Sequence, residues 1–582
     1  QTSRNIGFLN QRPTSFIETR AAFLVYYQTY KLTTLLLVVT LVFTTMNVKS
    51  RTNEQDSSDS LGGYHPHCNF DAKMVIIGFG SVGQAVLPLL LRHVNFASRD
   101  NIQIITGDDR GISIADNFGI QHTVLPLTRE NYRETLVRFV STGDFLVNLS
   151  VDVSSVALIE FCIQEGVNYL DTCIEPWGNV YTNMDLPISS RTNYGLREEV
   201  MALQEKYKTL ETMPTILPTH GANPGLISHF VKQALVNLSK DILGKGDEDI
   251  PQSQAEWADL ARELNVKAIH CSERDTQVVH PSCKKKKGEF VNTWSPEGFI
   301  SEGCQPSEMG WGTHEKSFPS DGCHHEYGCK SAVYLTSPGA SVQVRTWTPL
   351  AGPFHGFLIT HAEAVSISNF LSVKEKMIRD ASSVDKECKD ANEDFWEEEK
   401  VIYRPTCHYS YHPCDDTILS VNELAARNWR PQEKTRVYRQ EEILEGVDEL
   451  GALLMGHEKG AYWFGSTLSI EEARSLAPNN TATSLQIAAG VLSGIIWVLE
   501  NPNRGIVEPE DMDYRRVLEV ASPYLGQTAG FYTDWTPLDG RNFPFREDSI
   551  DENDPWQFRN IRVMNAPSEW IPIHSIPTQN KK

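Results

Sequence analysis

The sequence predicts an α/β protein in which a doubly wound parallel sheet is followed by a second, α+β domain. The first observation is a series of short apolar segments, such as "MVIIGFG", "IQIITG" and "DFLVNLS", that alternate with segments of helical spacing such as "SSVALIEFCIQEG". Near-continuous apolar strands between helices indicate a parallel sheet covered on both faces. The second observation is that later strand candidates ("SAVYLT", "SVQVRTW") are mixed with Gly, Pro and aromatic residues, which favours an α+β domain.

The composition limits the classes of partner. The chain has 582 residues, with 53 Lys and Arg against 75 Asp and Glu, and a formal net charge of −22. A nucleic-acid binder would normally present a basic face, so we expect no nucleic-acid partner, whereas a cationic substrate is compatible with this charge. The 11 cysteines are spread along a long chain, which indicates mostly reduced thiols. The clusters "CHHEYGC" and "CHYSYHPC" lack the ligand spacing of zinc sites, so no metal is expected.

The N-terminal 69 residues are expected to lie outside the folded domains. An apolar segment from Leu32 to Met46 precedes a polar linker, and the chain begins at Gln1. Three interpretations stay open: a signal or anchor segment, an organelle-targeting extension, or upstream translated sequence with Met46 as the true start. We expect a cytoplasmic protein, with any membrane or organellar association arising only through residues 21–46.

The segment "GFGSVG" contains three spaced glycines between a predicted strand and a predicted helix. Gly78 permits a tight turn, Gly80 lets the backbone approach a pyrophosphate, and Gly83 allows close packing of the helix on the strand. The amide groups at the helix N-terminus, near Ser81 and Val82, attract phosphates. This context predicts a Rossmann-type dinucleotide-binding turn.

The next predicted strand ends in "ITGDDRG", which bears on the choice of cofactor. An acidic residue at that position hydrogen-bonds ribose hydroxyls and repels a 2′-phosphate, so Asp108 favours NAD over NADP. Arg110 weakens this prediction, and the alternative is that Asp108 only stabilises a turn.

Polar residues follow three further predicted strands, at the edge where a doubly wound sheet binds its ligands. We expect Asn148 and Ser150 to line the nicotinamide side, although helix capping is an equally strong interpretation. Thr172 follows the next strand and is assigned to the cofactor, and Glu175 lies three residues later. The third segment, "THGANPGL", contains Asn223 and has more turn residues than an ordinary connection needs.

Three later segments carry specific structural expectations. "TATSLQIAAGVLSGIIWVLE" predicts a buried core helix rather than a membrane span. Residues 372–400 form a charged stretch that predicts a solvated helical insertion. If "FLITHAE" is a strand, His361 and Glu363 point to the same face.

Six long motifs make the chain resemble one known family. They are "GFGSVGQAVLPLL", "DTCIEPW", "THGANPGLISHFVKQAL", "VNTWSPEGFISEG", "YHPCDDTILSVNEL" and "ASPYLGQTAGFYTDWTPL". Together they resemble the bacterial type of homospermidine synthase, within the saccharopine dehydrogenase-like group, from about residue 70 to residue 575. The resemblance implies a homodimeric NAD-dependent enzyme that joins two putrescines and releases ammonia, with NAD reduced and reoxidised in one turnover. It leaves open whether putrescine or spermidine donates the aminobutyl group.

The resemblance also implies which residues form the substrate site. Diamines are dications, and carboxylates and aromatic faces suit them. Trp294 is expected to hold a cationic amine or imine by cation–π attraction, Asn223 to lie beside the reacting carbon, and His361 to move protons with its ordinary pKa of about 6.5. The carboxylates expected to bind the amines are Glu175, Glu273, Glu302 and Glu363.

The expected domains follow from these motifs: an N-terminal extension (1–69), an NAD-binding Rossmann domain (70–225), an α+β substrate and dimerisation domain (226–475) and C-terminal helical elements (476–582). Two other functions are compared with the synthase. An oxidoreductase of the same fold acting on an amino acid or a carboxylated polyamine needs Arg or Lys to bind carboxylates. A non-catalytic NAD-binding or membrane-anchored interaction protein would have no use for the convergent acidic residues.

Overall fold

The computed structural model describes residues 64–380, 395–541, 550–563 and 570–572, apart from residues 179, 182 and 184. The predicted N-terminal extension lies outside the described residues up to residue 63. Its last residues belong to the folded protein, because the strand Cys68–Phe70 pairs in parallel with Val94–Phe96. The fold therefore begins a few residues earlier than the sequence predicts.

The first sheet has six parallel strands in the spatial order β3-β2-β1-β4-β5-β6. The direction of winding reverses between β1 and β4, which is where a doubly wound sheet opens a crevice for a ligand. The predicted Rossmann-type sheet is confirmed. Its strands are β1 (Met74–Ile77), β2 (Ile102–Thr106), β3 (Gln121–Val124), β4 (Phe145–Asn148), β5 (Asn168–Asp171) and β6 (Ile216–Leu217).

Helices cover both faces of this sheet. Successive residues of β1 point alternately to the two faces, and the two sets pack against different helices. Met74 and Ile76 pack into one hydrophobic cluster with the apolar side of α1. Val75 and Ile77 pack into another, together with residues of α4. The helices of this half are α1 (Ser81–His93), α2 (Ile112–Asn117), α3 (Tyr132–Leu136), α4 (Ser155–Glu165) and α5 (Asn193–Tyr207).

The C-terminal part of the chain completes the edge of the first sheet at β6. The backbone N–H of Ile216 donates to the carbonyl of Gly505 (2.9 Å), and the N–H of Val507 donates to the carbonyl of Ile216 (2.9 Å). A segment from the far end of the sequence therefore occupies the hydrogen-bonding edge of β6.

The second sheet has ten strands, with a main order of β9-β10-β8-β13-β7-β14-β15-β16. Strand β11 pairs with β12, which pairs with β13. The β7–β13 pair is parallel and its other pairs are antiparallel. Its strands are β7 (Ala268–Asp275), β8 (Pro306–Gly310), β9 (Gly322–His324), β10 (Ala332–Pro338), β11 (Gln343–Thr348), β12 (Gly352–Phe357), β13 (Thr406–His412), β14 (Val447–His457), β15 (Gly460–Ser469) and β16 (Gln527–Thr533).

Nine further described helices surround the second sheet or connect the two sheets. Helix α12 is long and apolar enough to cross a membrane, yet 89% of its most apolar window is buried inside the protein. These helices are α6 (Leu226–Leu243), α7 (Gln254–Glu263), α8 (Pro296–Cys304), α9 (Ala362–Phe370), α10 (Asp415–Ala426), α11 (Ile470–Leu476), α12 (Ala482–Glu500), α13 (Tyr514–Ala521) and α14 (Phe558–Ile561).

Two segments differ from the predicted secondary structure. The stretch 372–400 was expected to be helical, but its described parts form two antiparallel strands, Val373–Asp380 and Phe395–Tyr403. Opposite charges face each other across them, and Lys374 pairs with Glu399 at 3.4 Å. Cross-strand pairing of this kind stabilises a sheet in the way that i,i+4 pairs stabilise a helix. Residues 476–582 were expected to contribute helical elements, and they also supply β16.

Candidate active site

The glycine-rich turn between β1 and α1 has the geometry of a phosphate-binding loop. Gly78 has φ +86°, and a Cβ there would lie 2.6 Å from the carbonyl oxygen of Leu149. A Cβ on Gly83 would lie 3.0 Å from the carbonyl oxygen of Gly78, so helix and strand pack closely. A Cβ on Gly80 would meet no protein atom within 4 Å. The space beside Gly80 is therefore open to a ligand.

The N-terminus of α1 fits a dinucleotide phosphate. No side chain caps this helix end within the described residues, so its first N–H groups are not taken up by a capping side chain. The Ser81 hydroxyl, although buried, has no hydrogen-bond partner in the described part of the chain. Free donors and the helix dipole together suit an anion. Gly78, Gly80, Ser81 and Gly83 thus fit the predicted cofactor turn.

Asp108 lies two residues beyond β2 and is held by Arg110. Its carboxylate accepts hydrogen bonds from the Arg110 backbone N–H (2.9 Å) and from Arg110 Nε (2.8 Å). Burial raises the pKa of Asp108, but the Arg110 hydrogen bonds outweigh this, so the carboxyl titrates below its ordinary range. Arg110 also reaches Glu297 in α8 at 3.3 Å. Asp108 stabilises a turn, and its contact with a ribose stays a prediction.

Nine of the predicted site residues line one pocket at the carboxyl ends of the first sheet, with about 730 Å³ of space that is partly open to solvent. A second cavity of about 330 Å³ shares Glu175, Glu302 and His361 with it. The predicted residues that line the larger pocket are Val82, Ser150, Thr172, Glu175, Asn223, Glu273, Trp294, Glu302 and His361. Two further predicted residues contact the lining residues: Asn148 accepts a hydrogen bond from Ser150, and Glu363 pairs with His361.

Asn148 ends β4 and shapes the loop that follows. Its side-chain oxygen accepts hydrogen bonds from the Ser150 hydroxyl (2.6 Å) and the Ser150 N–H (3.3 Å). The next helix is capped by Ser154, whose hydroxyl accepts from the N–H of Ala157. Helix capping by Asn148 and Ser150 is therefore wrong, and Ser150 reaches the pocket instead.

The turn from His220 to Gly225 places Asn223 in the pocket. The Gly221 N–H donates to the carbonyl of Pro224 (2.7 Å), and the Asn223–Pro224 peptide bond is cis. Gly225 has φ +126°, and a Cβ there would lie 2.3 Å from the Gly221 carbonyl oxygen. Only glycine allows this close approach. The side chain of Asn223 then donates from Nδ2 to Glu273 Oε2 at 2.6 Å.

Glu273 lies on β7 beside a tyrosine that the sequence prediction missed. Tyr409 on the neighbouring strand β13 donates its hydroxyl proton to Glu273 Oε2 and lines the pocket. Burial raises the pKa of Glu273 to about 7, although the hydrogen bonds from Tyr409 and Asn223 oppose the rise. The only sequence signal for Tyr409 is the alternation in "TCHYSYH", which puts Tyr409 and Tyr411 on one face of a strand.

His361 is held between two carboxylates. Its Nδ1 lies 3.1 Å from Glu363 Oε1 and its Nε2 lies 3.2 Å from Glu302 Oε2. Burial lowers the pKa of His361, but Glu363 and Glu302 together outweigh it and raise the pKa to about 10. His361 is therefore an imidazolium at neutral pH, in contrast to the expected ordinary titration.

The predicted strand "FLITHAE" is wrong, although its two key residues do meet. Strand β12 ends at Phe357, and α9 begins at Ala362 with His361 as its N-cap residue. Glu363 lies in the first turn of this helix, where a carboxylate is favoured by the helix dipole. The pairing of His361 and Glu363 thus comes from a helix start rather than from strand alternation.

Glu175 follows β5 and is buried in the pocket lining. Its backbone N–H donates a hydrogen bond to Ser155 Oγ at 3.0 Å, and Cys173 Sγ donates to Glu175 Oε1 at 3.4 Å. Burial raises the pKa of Glu175 to about 8. The Glu175 and Glu273 carboxyls thus retain protons near neutral pH, and a bound cation would favour their ionised forms.

Trp294 lies between a short strand, Glu289–Asn292, and helix α8. Its indole Nε1 donates to the hydroxyl of Tyr411 at 3.1 Å, and the ring lines the pocket. An aromatic face beside several carboxyl groups is an environment for a cation. The fold and the site together define a dinucleotide-binding enzyme with an acidic pocket beside its cofactor turn.

Comparison with known proteins agrees with that class. Residues 74–214 match the family described as saccharopine dehydrogenase NADP binding domain, and residues 221–530 match saccharopine dehydrogenase C-terminal domain. The homospermidine synthase of Blastochloris viridis is 47% identical over 503 residues, which cover 86% of this chain and 98% of that protein. That of Mesorhizobium japonicum is 46% identical over 493 residues, covering 84% and 96%.

A solved structure is similar over the same region. The homospermidine synthase of Legionella pneumophila, crystallised in complex with NAD, is 46% identical. It superposes with a TM-score of 0.75, covering 86% of this chain and 99% of that chain. This chain belongs to the homospermidine synthase family.

Proposed function

We propose that this chain is a homospermidine synthase that uses bound NAD to transfer an aminobutyl group from one putrescine to another, with release of ammonia. The observation that carries the proposal is the pocket beside the cofactor turn, whose lining combines Glu175, Glu273 and Glu302 with the indole of Trp294. Carboxylates and an aromatic face bind ammonium groups. Asp108, next to the predicted ribose position, supports NAD rather than NADP.

The lining of the pocket argues against a substrate that carries carboxylates. A saccharopine dehydrogenase-like enzyme acting on an amino acid would need guanidinium or ammonium groups to pair with its substrate. The described residues that line the pocket include neither Arg nor Lys. Since an anionic substrate would meet several carboxyl groups there, a polyamine is the better match.

The proposed reaction conserves atoms and electrons. A hydride leaves the carbon that bears one amine of the first putrescine, and the amine nitrogen loses a proton to give an imine. The amine of the second putrescine then forms a C–N bond to that carbon, the C–N bond to the original nitrogen breaks, and ammonia leaves. The returning hydride and a proton, equivalent to the one lost in the first step, reduce the new imine to homospermidine. NAD held at the glycine-rich turn would supply the acceptor and donor of this hydride within one turnover.

The residues of the pocket have distinct proposed roles. Asn223 and Glu273, joined by their hydrogen bond, lie beside the reacting carbon and orient the amine. Glu175 and Glu302 bind the ammonium groups, and Trp294 stabilises the cationic imine. The His361 imidazolium directs both of its N–H groups to Glu302 and Glu363, and Glu302 lines the pocket, so a proton can pass from His361 through Glu302 to the departing nitrogen.

The function is tested by incubating the protein with putrescine and a substoichiometric amount of NAD. Homospermidine and ammonia should form in equal amounts over many turnovers without accumulation of NADH. Accumulation of NADH in step with product would identify a plain dehydrogenase instead. Repeating the assay with spermidine, and measuring 1,3-diaminopropane, distinguishes the two donors.

Putrescine affinity should rise with pH. Glu175 and Glu273 have pKa values raised to about 8 and about 7, so each carries a proton below those values. A cationic amine binds their ionised forms, and the amine itself stays charged throughout because its own pKa is near 10. We therefore expect the dissociation constant to fall about tenfold or more between about pH 6 and about pH 8. Calorimetry of the NAD-loaded enzyme in two buffers should also detect proton release; a pH-independent dissociation constant would contradict this prediction.

Substitution of Trp294 should reduce turnover in steps. A phenyl ring is a weaker partner for a cation than an indole, so Trp294→Phe should keep part of the activity. Trp294→Ala removes the aromatic face and should lower kcat/KM for putrescine about 5- to 30-fold, equivalent to about 1–2 kcal/mol. Trp294→Glu supplies a carboxylate that attracts the cationic substrate but lacks the flat aromatic surface. NAD affinity serves as the control, and wild-type turnover in Trp294→Ala would reduce this residue to a packing role.

Two further properties are inferred for the enzyme. We infer a cytoplasmic location, supported by membership of a family whose compared members come from bacteria. The homodimer implied by the family resemblance stays a prediction, which the molecular mass in solution tests.

A further inference from the structure

The indole of Trp294 is contacted on several sides besides the one that faces the pocket. Its N–H donates to Tyr411, and Phe299 packs edge-on at 6.0 Å between ring centroids and 86° between planes. A Cβ on Gly298 would lie 3.1 Å from indole Cζ3, so the ring packs closely on the first turn of α8. These contacts leave the indole little rotational freedom.

Tyr411, the partner of the indole N–H, is itself fixed. It is completely buried on β13, and its ring stacks on Tyr409 with centroids 5.5 Å apart and planes 6° apart. Phe299 packs edge-on against it as well, at 5.6 Å and 73°. Since Tyr409 donates to Glu273, one continuous set of contacts connects the aromatic and the acidic parts of the pocket.

The backbone that leads into Trp294 is also held. Thr293 donates its hydroxyl proton to Asp275 Oδ2 at 2.8 Å. The other Asp275 oxygen accepts from the N–H of Gln277 at 2.8 Å, and both Thr293 and Asp275 are completely buried. Trp294 is thus held through the side chain of the preceding residue, Thr293, by Asp275 and at its ring nitrogen by Tyr411.

We propose that Tyr411 is a positioning residue, whose hydroxyl orients the Trp294 ring so that its face meets the cationic substrate. This inference rests on the proposed function. Cation–π attraction acts over the ring face, so a tilted indole loses stabilisation even when it still fills the same volume. A ring fixed in advance needs no reorganisation as the cation forms.

The test is a double-mutant cycle on turnover with putrescine. Four full-length proteins are compared at saturating NAD: wild type, Tyr411→Phe, Trp294→Phe and the double variant. Tyr411→Phe keeps the stacked ring and removes only the hydroxyl, and should lower kcat/KM about three- to tenfold in the Trp294 background. Phenylalanine at position 294 has no N–H, so in that background the loss of the hydroxyl should change kcat/KM less than about twofold.

The outcomes separate positioning from general destabilisation. Equal losses in both backgrounds, or no loss in either, would overturn the role of Tyr411. Thermal unfolding and NAD affinity of each variant report on the fold. If Tyr411→Phe does not fold, Gly298→Ala tests the orientation of the indole independently, because its Cβ would lie 3.1 Å from indole Cζ3 and push the ring aside. Wild-type kcat/KM in Gly298→Ala would overturn the requirement for a fixed indole. Absence of homospermidine formation by the wild type would instead overturn the proposed function itself.

Discussion

Gly80→Val should abolish NAD binding and leave the fold intact. A Cβ at this position would meet no protein atom within 4 Å, so the sheet and α1 can form around the larger residue. The added isopropyl group would occupy the space in which backbone approaches a pyrophosphate. We expect the dissociation constant for NAD to rise at least about 100-fold, and turnover with putrescine to be lost.

The measurement is a titration with NAD that is monitored by calorimetry, and thermal unfolding of the variant is the control for folding. Gly80→Ala provides a graded comparison, because its single methyl group should weaken binding less than valine does. Wild-type NAD affinity in Gly80→Val would contradict the assignment of this turn to the cofactor. A fall in the unfolding temperature without any change in NAD affinity would count against it in the same way.

His361→Gln should lower turnover at least about 100-fold, the range expected for loss of a positioned proton donor. Glutamine can keep a hydrogen bond to Glu302 or Glu363, but it cannot carry the positive charge with which the imidazolium pairs with both carboxylates. The Glu363 carboxyl is 2% exposed, so loss of the imidazolium would leave it buried without its cationic partner. The substrate site would then lose both a proton donor and the positive charge that pairs with its carboxyl groups.

A matched control comes from a second buried histidine–glutamate pair. His325 Nε2 lies 3.3 Å from Glu308 Oε1, and neither residue lines the pocket. His325→Gln should lower the unfolding temperature while keeping kcat within about threefold of the wild type. Similar losses of kcat in the two variants would mean that His361 acts through stability rather than through the reaction.

The cofactor half of the site was predictable because its signals are local. The spacing of Gly78, Gly80 and Gly83 between a strand and a helix occupies six consecutive residues, and each glycine has a steric reason that applies wherever the motif folds. The apolar strands before Asn148 and Thr172 likewise identified the edge of the sheet where ligands bind. These inferences need no knowledge of distant contacts.

The contribution of Tyr409 could not be predicted, because it depends on pairing between remote strands. Tyr409 and Glu273 are separated by 136 residues and meet only because β13 lies beside β7. The raised pKa of His361 has a similar origin, since Glu302 approaches it from a different helix. The charge state of a buried group depends on all the elements packed around it, which a single segment of sequence does not reveal.

The charged stretch 372–400 shows how the same composition supports two structures. Alternating Lys and Glu residues favour a helix through i,i+4 pairs, and equally favour a two-stranded ribbon through cross-strand pairs. The structure takes the second form, with Glu375 opposite Lys400. Charge composition alone could not decide, because the choice depends on where the chain must enter and leave the second sheet.

The backbone pairing of Ile216 with residues 505 to 507 bears on how the chain can be divided in the laboratory. A fragment ending near residue 225 would contain all six strands of the first sheet but would expose the hydrogen-bonding edge of β6. Unpaired edges recruit other strands, so such a fragment is expected to self-associate rather than behave as a monomeric nucleotide-binding module. The nucleotide-binding sheet and the C-terminal residues are therefore best expressed, stored and engineered as one unit.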